Sequence, residues 1–578
     1  MKTNIKILLL IISLGLFSSC EDFFYPGQTG LIKSDEFYKD LNNLRIGLNS
    51  VYNVVQSKDY QVSEVLFGEA MSDNSWNMQD VEIDEAGQLV NFQFNTDNPF
   101  ILKRYQVNYT GINKANQVIR SAPYVKFRAN GTSEKEIREV LGQAKLLRAM
   151  FYFNLVKTFG GVPIQPENIN LGNMVVPRSS IEDVYAYIEK DLREAVLIMR
   201  RNRYQLTEAG QTGVGGALGM LMKVLVYQAS PGIKLSGVDK EQKWAEALQI
   251  GNFFIKGVSL TYDEILKYND RYEEPWDSLV TRLALPPTAL PATSFFGQDV
   301  VSLHQLDDFD KIFRLNGEFS PESLIEINHH DFSVTGMSTD ESWPVYGSVM
   351  NRYGGTASEI AITPTNDLSN AYYNDPRKLY TMTGRSINNY FKQEETDPAI
   401  GWFNYGDAMV FVKHYTFRSE GSPQNRNYRI MRYTEAILLY AEILNESGKT
   451  REAVDYVNFV RQRARKLLDP KNPNAQYNIS ANLFLDIPYA PYEIVRDAIL
   501  LEKRIEMAAE FDRWYELARL GILPERMASI YKNAPVEQPS GKIRIRGKYF
   551  RKGVNELFPI PQREILLSNG VITQNYGY

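Results

Sequence analysis

Cysteine is almost absent from this 578-residue chain: there is one, at position 20. A lone cysteine rules out an intrachain disulfide framework. With only His304, His329, His330 and His414 beside it, and no CxxC or HExxH spacing, the usual zinc and iron–sulfur sites have no donors. Long apolar runs are missing too. The stretch from Ile7 to Phe17 covers eleven residues, whereas a helix needs about twenty to cross a bilayer core. Nor is there a surplus of one charge. Lys+Arg number 64 and Asp+Glu 69, a formal net charge of −5, and the densest basic stretch, Lys542 to Lys552, is interrupted by Tyr549 and Phe550. Nucleic-acid binders present a basic stripe, so no nucleic-acid partner is expected. What the chain does have is apolar surface. At 44% hydrophobic and 12% aromatic residues it can bury a large core, as a globular body and not a disordered chain.

The position of the cysteine carries more information than its rarity. Lys2 and Lys6 precede the apolar run and small Ser18 and Ser19 follow it, the pattern of a secretory signal peptide over residues 1–19. Cleavage there leaves Cys20 as the first mature residue. The stretch is similar to a bacterial lipobox, with Phe17 where Leu is usual. That similarity implies acyl chains such as palmitate on Cys20, each buried methylene adding about 0.8 kcal/mol of membrane affinity. Glu21 and Asp22 then resemble the surface-export signal of Bacteroidetes lipoproteins, with inner-membrane retention as the competing reading. Residues 20–33 hold Pro26, Gly27 and Gly30 without any period and read as a tether.

Helical periodicity dominates the rest. From Ser133 to Phe159, Ile137, Val140, Leu141, Ala144, Leu147, Phe151 and Leu155 recur at three- and four-residue steps, a single helix face. Ser133 with Glu136 is a capping-box pattern, and Gly160, Gly161 and Pro163 stop the helix. Ser180 and Asp183 open a second helix striped by Ile181, Val184, Tyr185, Ile188, Leu192, Ala195 and Met199. Further windows run over Val214–Ala229, Lys240–Lys256, Tyr433–Ser447, Thr450–Leu468 and Tyr492–Leu520. Leu141-Gly142, Ala149-x3-Phe153 and Pro163 echo a tetratricopeptide repeat, although Lys145 stands where an aromatic is expected; Trp244-x2-Ala247-Leu248 echoes it again. The expected fold is therefore mainly α, a tetratricopeptide-like helical-repeat body. It comprises an N-terminal helical part (34–261), a loop-rich insertion with little β structure (262–427) and a C-terminal helical part (428–578).

Candidate chemistry is sparse. Gly448-Lys449-Thr450 lacks the earlier glycine of a phosphate loop, and Gly213-x-Gly215-Gly216 has Leu218 at the third glycine of a dinucleotide fingerprint. Glu502, Glu506 and Glu510, at four-residue steps, could serve a glycosidase as paired carboxylates. Like charges at that spacing repel, however, and are expected instead to share a partly buried ion-pair network with Arg432, Arg461, Arg504 and Arg513. Aromatics in polar loops are the better ligand candidates. Trp76 lies among Asp73, Asn74 and Asn77, so that a ring face could stack on a sugar while the amides and carboxylate bind hydroxyls. Trp276, Trp343, Tyr346 and Trp402 have comparable neighbourhoods, although a single loop aromatic is more often a packing anchor. Trp244 and Trp514 fall on helix stripes and are assigned to the core. No cofactor is indicated; a structural calcium is compatible with the sequence, but no motif points to one.

Several segments together resemble one family. Leu147-Arg148-Ala149-Met150-Phe151-Tyr152-Phe153-Asn154-Leu155-Val156 with Phe159-Gly160-Gly161-Val162-Pro163 resembles the LRAxxYFxLVxxFGxVP signature of SusD/RagB-like nutrient-binding lipoproteins. Pro177-Arg178-Ser179-Ser180 with Asp191-Leu192, Asp375-Pro376-Arg377, Arg432-Tyr433-Thr434-Glu435-Ala436 with Tyr440-Ala441-Glu442, and Asn458, Arg461 and Arg463 follow in the family's order. So do Glu502 to Gly521 and Phe558-Pro559-Ile560-Pro561 with Gln574-Asn575. Lys503, Phe511 and Leu520 stand where the family usually has Arg, Gly and Trp. The resemblance implies an outer-membrane lipoprotein facing the cell exterior, which captures oligosaccharide or polysaccharide and passes it to a SusC-like TonB-dependent transporter without catalysis. Part of the family binds peptides, the competing cargo. Ligand residues in the family follow no shared motif, so the loop aromatics above rest on their own chemistry.

Overall fold

The computed structural model describes residues 37–77, 85–125, 134–167, 175–199, 210–260, 264–265, 304–329, 362–383, 410–411, 413, 427–468, 484–533, 536–537, 543–544 and 547–578. The expected signal segment and Cys20 lie outside them, as does most of the stretch 262–427 expected to form a loop-rich insertion. Among the described residues no helix is long and apolar enough to cross a membrane.

The body is a stack of helices: α1 (Leu41–Gln56), α2 (Lys58–Glu64), α3 (Pro99–Ser121), α4 (Glu134–Phe159), α5 (Ile181–Met199), α6 (Val214–Ala229), α7 (Lys240–Lys256), α8 (Tyr433–Glu446) and α9 (Thr450–Arg465). Each packs on its neighbour in sequence from α3 to α7, α7 packs on α8, and α8 on α9. The apolar stripe expected on α4 is buried throughout. Its end is set by Gly160, whose φ of 74° is the left-handed turn that glycine adopts without a Cβ penalty. At the start of α5, Ser180 Oγ accepts the Asp183 backbone N–H at 3.1 Å and donates to its carboxylate at 2.6 Å. Helix α6 is buried on every side, as a helix in the middle of a stack must be. Where α7 meets α8 the backbones come close: a Cβ on Gly251 would lie 2.4 Å from the Tyr440 ring. One cluster of buried apolar side chains runs from Tyr38 to Ile560, so the helices on either side of the insertion share a core.

Two departures from the sequence reading stand out. Helices α1, α2 and α3 fall in none of the periodic windows; α1 is rich in Asn, and what holds it is the Asp40 cap on the Asn43 N–H and the burial of Leu44, Leu48, Val51 and Val55. The single helix expected over Tyr492–Leu520 is two, α10 (Tyr492–Glu506) and α11 (Arg513–Arg519), followed by α12 (Leu523–Asn533). Between them Ala509 and Phe511 have φ of 65° and 67°. Phe511 stands where glycine is usual, and its conformation explains that preference. The break is locked from outside: a Cβ on Gly68 would sit 1.7 Å from the Phe511 carbonyl oxygen, so only glycine admits this contact. Gly68 belongs to a π-helical turn, Val65–Ala70, that continues α2. Trp514 is buried as expected, while Trp244 is only partly buried at the core's edge.

The strands are short and antiparallel. Strand β1 (Ser75–Asn77) pairs with β3 (Ile362–Pro364), β2 (Ser323–Ile327) with β6 (Tyr428–Arg432), and β4 (Met382–Thr383) with β5 (Val410–Phe411).

Candidate functional site

The β1–β3 ribbon joins the N-terminal helical part to the insertion. Ser75, Trp76 and Asn77 face Pro364, Thr363 and Ile362 in register. Just before β1, the Thr365 N–H donates to the Asn74 carbonyl at 2.8 Å and the Thr365 hydroxyl to the Asp73 carbonyl at 2.9 Å. The same hydroxyl accepts the Leu368 N–H, so one side chain caps the helix Asn366–Ala371 and ties it to the ribbon.

Beneath the ribbon lies a charge clamp. Asp73, fully buried, accepts both guanidinium N–H groups of Arg513 at 2.8 and 3.0 Å and one from Arg526 at 2.9 Å. Arg504 reaches Asn74 Oδ1 at 2.9 Å and Asp367 at 2.6 Å, and Arg526 also reaches Asp367. Burial alone would raise the Asp73 carboxyl; Arg513, Arg504 and Arg526 overcome it and hold the group far below the usual carboxylate range. The role expected of Asp73 is thereby corrected. Its oxygens are committed to arginines, so it fixes the base of the ribbon and is not offered to a sugar hydroxyl. Asn74 is likewise buried, with its oxygen on Arg504. Trp76 and Asn77 lie in β1. Trp276, Trp343, Tyr346 and Trp402 lie outside the described residues.

Next to the clamp the three glutamates are neutralised one by one. Glu502 accepts from Arg377 at 2.6 Å and Arg461 at 3.0 Å. Glu506, 0% exposed, accepts from Arg377 at 2.8 Å, from Arg432 at 3.2 Å and from Arg463. Glu510, in the break between α10 and α11, binds Arg432 at 2.7 Å and Lys413 at 2.6 Å. Burial opposes ionisation of both, yet Arg463, Arg432 and Arg377 keep Glu506 well below the normal range, while Arg432 and Lys413 bring Glu510 down to about 2. A carboxylate held anionic in this way is a poor general acid. The network expected from the sequence is present, with a correction to its membership. Arg504 and Arg513 serve Asp73 instead, and Arg377, Arg463 and Lys413 take their place. Arg377, from the Asp375-Pro376-Arg377 turn, was missed; two carboxylates facing one another on a helix were the only signal that a distant cation was required.

A small polar cavity of about 40 Å³ lies between the clamp and this network, lined by Asn74, Lys223, Glu435, Met507, Asp512 and Arg513 among others. It has room for water but not for a sugar ring. Among the described residues no group of three or more His, Cys, Asp or Glu is placed to hold a metal ion.

Comparison with known proteins agrees with this architecture. Residues 341–578 match the model of the SusD family, and residues 33–221 match a second model described as starch-binding associating with outer membrane. SusD-like protein P2 of Formosa agariphila is 24% identical over the full length of both chains. A crystal structure of a SusD homolog from Bacteroides thetaiotaomicron superposes with a TM-score of 0.67 at 20% identity, covering 94% of this chain and 98% of that one. A laminarin-binding SusD-like protein superposes with a TM-score of 0.64 at 22% identity, covering 94% and 100%. With its tetratricopeptide-like helical stack and with family models that match residues 33–221 and 341–578, the chain belongs to the SusD/RagB family.

Proposed function

We propose that the protein is a lipid-anchored, outward-facing outer-membrane receptor that binds a glycan, oligosaccharide or polysaccharide, and hands it to a SusC-like TonB-dependent transporter. The observation that carries this reading is the β1–β3 ribbon. It holds Trp76 and Asn77 on a backbone that both the helical stack and the insertion secure, and Asp73, Arg504, Arg513 and Arg526 make its base rigid. An aromatic and an amide residue carried on a backbone fixed in this way offer partners for a sugar face and its hydroxyls at little backbone ordering cost. A laminarin-binding protein with the same fold supports a glycan as the cargo. The engaged state of Glu502, Glu506 and Glu510 supports capture and release over bond cleavage. The lipobox-like stretch that ends at Cys20, and a family model described as starch-binding associating with outer membrane, support a position at the outer membrane.

The test is affinity electrophoresis of the purified protein through gels containing starch or laminarin. Trp76→Ala should weaken retardation, and Trp276→Ala, Trp343→Ala and Trp402→Ala report which insertion aromatics share the site. Unchanged retardation in all four variants discards this site, and binding to peptides with no binding to glycans discards the cargo. Isolation of the membrane complex should bring a TonB-dependent transporter down with the protein.

A further inference from the structure

Asp367 belongs to none of the motifs in the sequence, yet two arginines from different helices meet on one of its oxygens. Oδ2 accepts from Arg504 of α10 at 2.6 Å and from Arg526 of α12 at 2.7 Å. An acid in the first turn of the helix Asn366–Ala371 suits that helix's dipole without any partner, so the two guanidinium contacts call for another explanation.

The explanation lies on the other strand, because the same two arginines also hold the chain just before β1. Arg526 reaches Asp73 Oδ2 at 2.9 Å, and Arg504 reaches Asn74 Oδ1 at 2.9 Å and the Asp73 carbonyl at 3.4 Å. In the antiparallel register Ser75 at the start of β1 faces Pro364 at the end of β3, so Asp73 and Asp367 lie at the same end of the ribbon. Each arginine therefore bridges the two strands, independently of the backbone ladder.

Charge accounts for the second acid. Arg504, Arg513 and Arg526 converge on Asp73, three cations on one anion. Burial above all, with Arg513 beside it, disfavours the charge on Arg504, and Asp73 and Asp367 oppose that. The two acids differ in exposure. The Asp73 side chain is 0% exposed, whereas that of Asp367 is 52% exposed and that of Arg526 29%. Salt screens charges over about 10 Å at 0.1 M but about 3 Å at 1 M, and acts mainly on exposed pairs. The outer half of the clamp is thus open to salt and the inner half is not.

We propose that Asp367 is a positioning residue for glycan binding: through Arg504 and Arg526 it ties the chain after β3 to the chain before β1, and this half-exposed tie makes the affinity of the ribbon depend on ionic strength. The inference rests on the glycan-binding reading of the ribbon and adds its regulation. With the tie closed, β1 meets a ligand already ordered. With it open, β3 and its helix keep only the ladder and Thr365, and binding carries more of the ordering cost. A neutral glycan has no charge to screen, so its affinity registers salt through the protein alone.

The experiment is equilibrium titration of the purified protein with soluble laminarin and starch at about 0.1 M and about 1 M NaCl. It compares wild type, Trp76→Ala, Asp367→Asn and Asp367→Glu, with the urea unfolding midpoint of each. Wild-type affinity should fall about two- to fivefold at the higher salt, the worth of a partly exposed ion pair. Asp367→Asn keeps the shape without the charge; it should bind that much more weakly at low salt, lose the salt dependence and unfold near the wild-type midpoint. Asp367→Glu should restore both affinity and salt dependence, which a loss of helix stability alone would not require. Wild-type binding that ignores salt, or Asp367→Asn that matches wild type or keeps its salt dependence, overturns the tie; loss in Trp76→Ala then leaves the ribbon site standing. Unchanged binding in Trp76→Ala together with the Asp367 variants removes the ribbon as the site, and no binding of either glycan by wild type overturns both readings.

Discussion

Glu69 allows the electrostatics around the candidate site to be tested by a titration. It sits in the π-helical turn beside the clamp and is 0% exposed; Oε1 accepts the Ala509 N–H at 3.3 Å, and Oε2 has no partner among the described residues. Burial is the dominant influence and pushes its carboxyl up to about 7; hydrogen bonds from Asn74 and Ala509 oppose this, Asp73 adds to it and Arg513 opposes it. An ordinary carboxyl at 4.5 loses its proton in the unfolded chain well before the folded one does. Between pH 4.5 and about 7 the native state thus binds more protons than the unfolded state, and stability falls as pH rises through that window. At about 1.4 kcal/mol per pH unit the loss is about 3 kcal/mol, complete above pH 7 and absent below pH 4.5. Glu69→Gln keeps the shape and removes the titration. In urea unfolding the variant should therefore gain about 3 kcal/mol on wild type between pH 4.5 and pH 8. At roughly 2.1 cal/mol/K of unfolding entropy per residue, that is about 3 °C in Tm for a chain of this length. His304, His329 and the other titrating groups are common to both proteins and cancel in the difference. A difference that stays constant across this range refutes the argument, because Glu69 would then ionise as freely in the fold as outside it.

Other outcomes follow from the same structure. Glu506→Gln leaves Arg377, Arg432 and Arg463 around a neutral amide and should cost about 3–5 kcal/mol in denaturant unfolding at pH 7; an unchanged midpoint would remove the network from the account of stability. Because Glu510 is held at about 2, its contribution is present above pH 4.5 and lost as pH falls from there towards 2, so a Glu510→Gln protein should lose less stability than wild type over that interval. Gly68→Ala places a methyl against the Phe511 carbonyl, where backbone must move, and should cost at least about 1–3 kcal/mol in the same assay. A tolerated alanine there would mean that the two backbones are not in contact. Cys20→Ser should shift the protein from the membrane fraction to the soluble fraction of lysed cells, and retention on membranes would end the case for acylation.

The helices were legible because their information is local. Val214–Ala229 and Lys240–Lys256 begin and end where apolar spacing, Asp239 and Gly257 place them, since each backbone hydrogen bond closes within one turn and each cap within three residues. The candidate site was legible only as a list of residue types. Trp76 and its polar neighbours read as one loop, yet Asp73 turns inward to arginines about 440 positions away and Trp76 enters a strand whose partner lies in the insertion. The break after Glu506 could not be read at all, because what permits it is the missing side chain of Gly68.

From the sequence alone came the mainly helical stack, the signal-like start before a single cysteine, and the family's ordered motifs; periodicity, capping and short motifs are properties of neighbouring residues. Tertiary structure decided which acid meets which base. Glu502, Glu506 and Glu510 have the same spacing as catalytic or repelling carboxylates, and only the convergence of Arg377, Lys413, Arg432, Arg461 and Arg463 makes them structural. It also left the Tyr185 hydroxyl and Glu556 Oε2 buried without a hydrogen-bond partner among the described residues. Charge and hydrogen-bond satisfaction in a buried site depend on every group within a few ångströms, and those groups are assembled from the whole length of the chain.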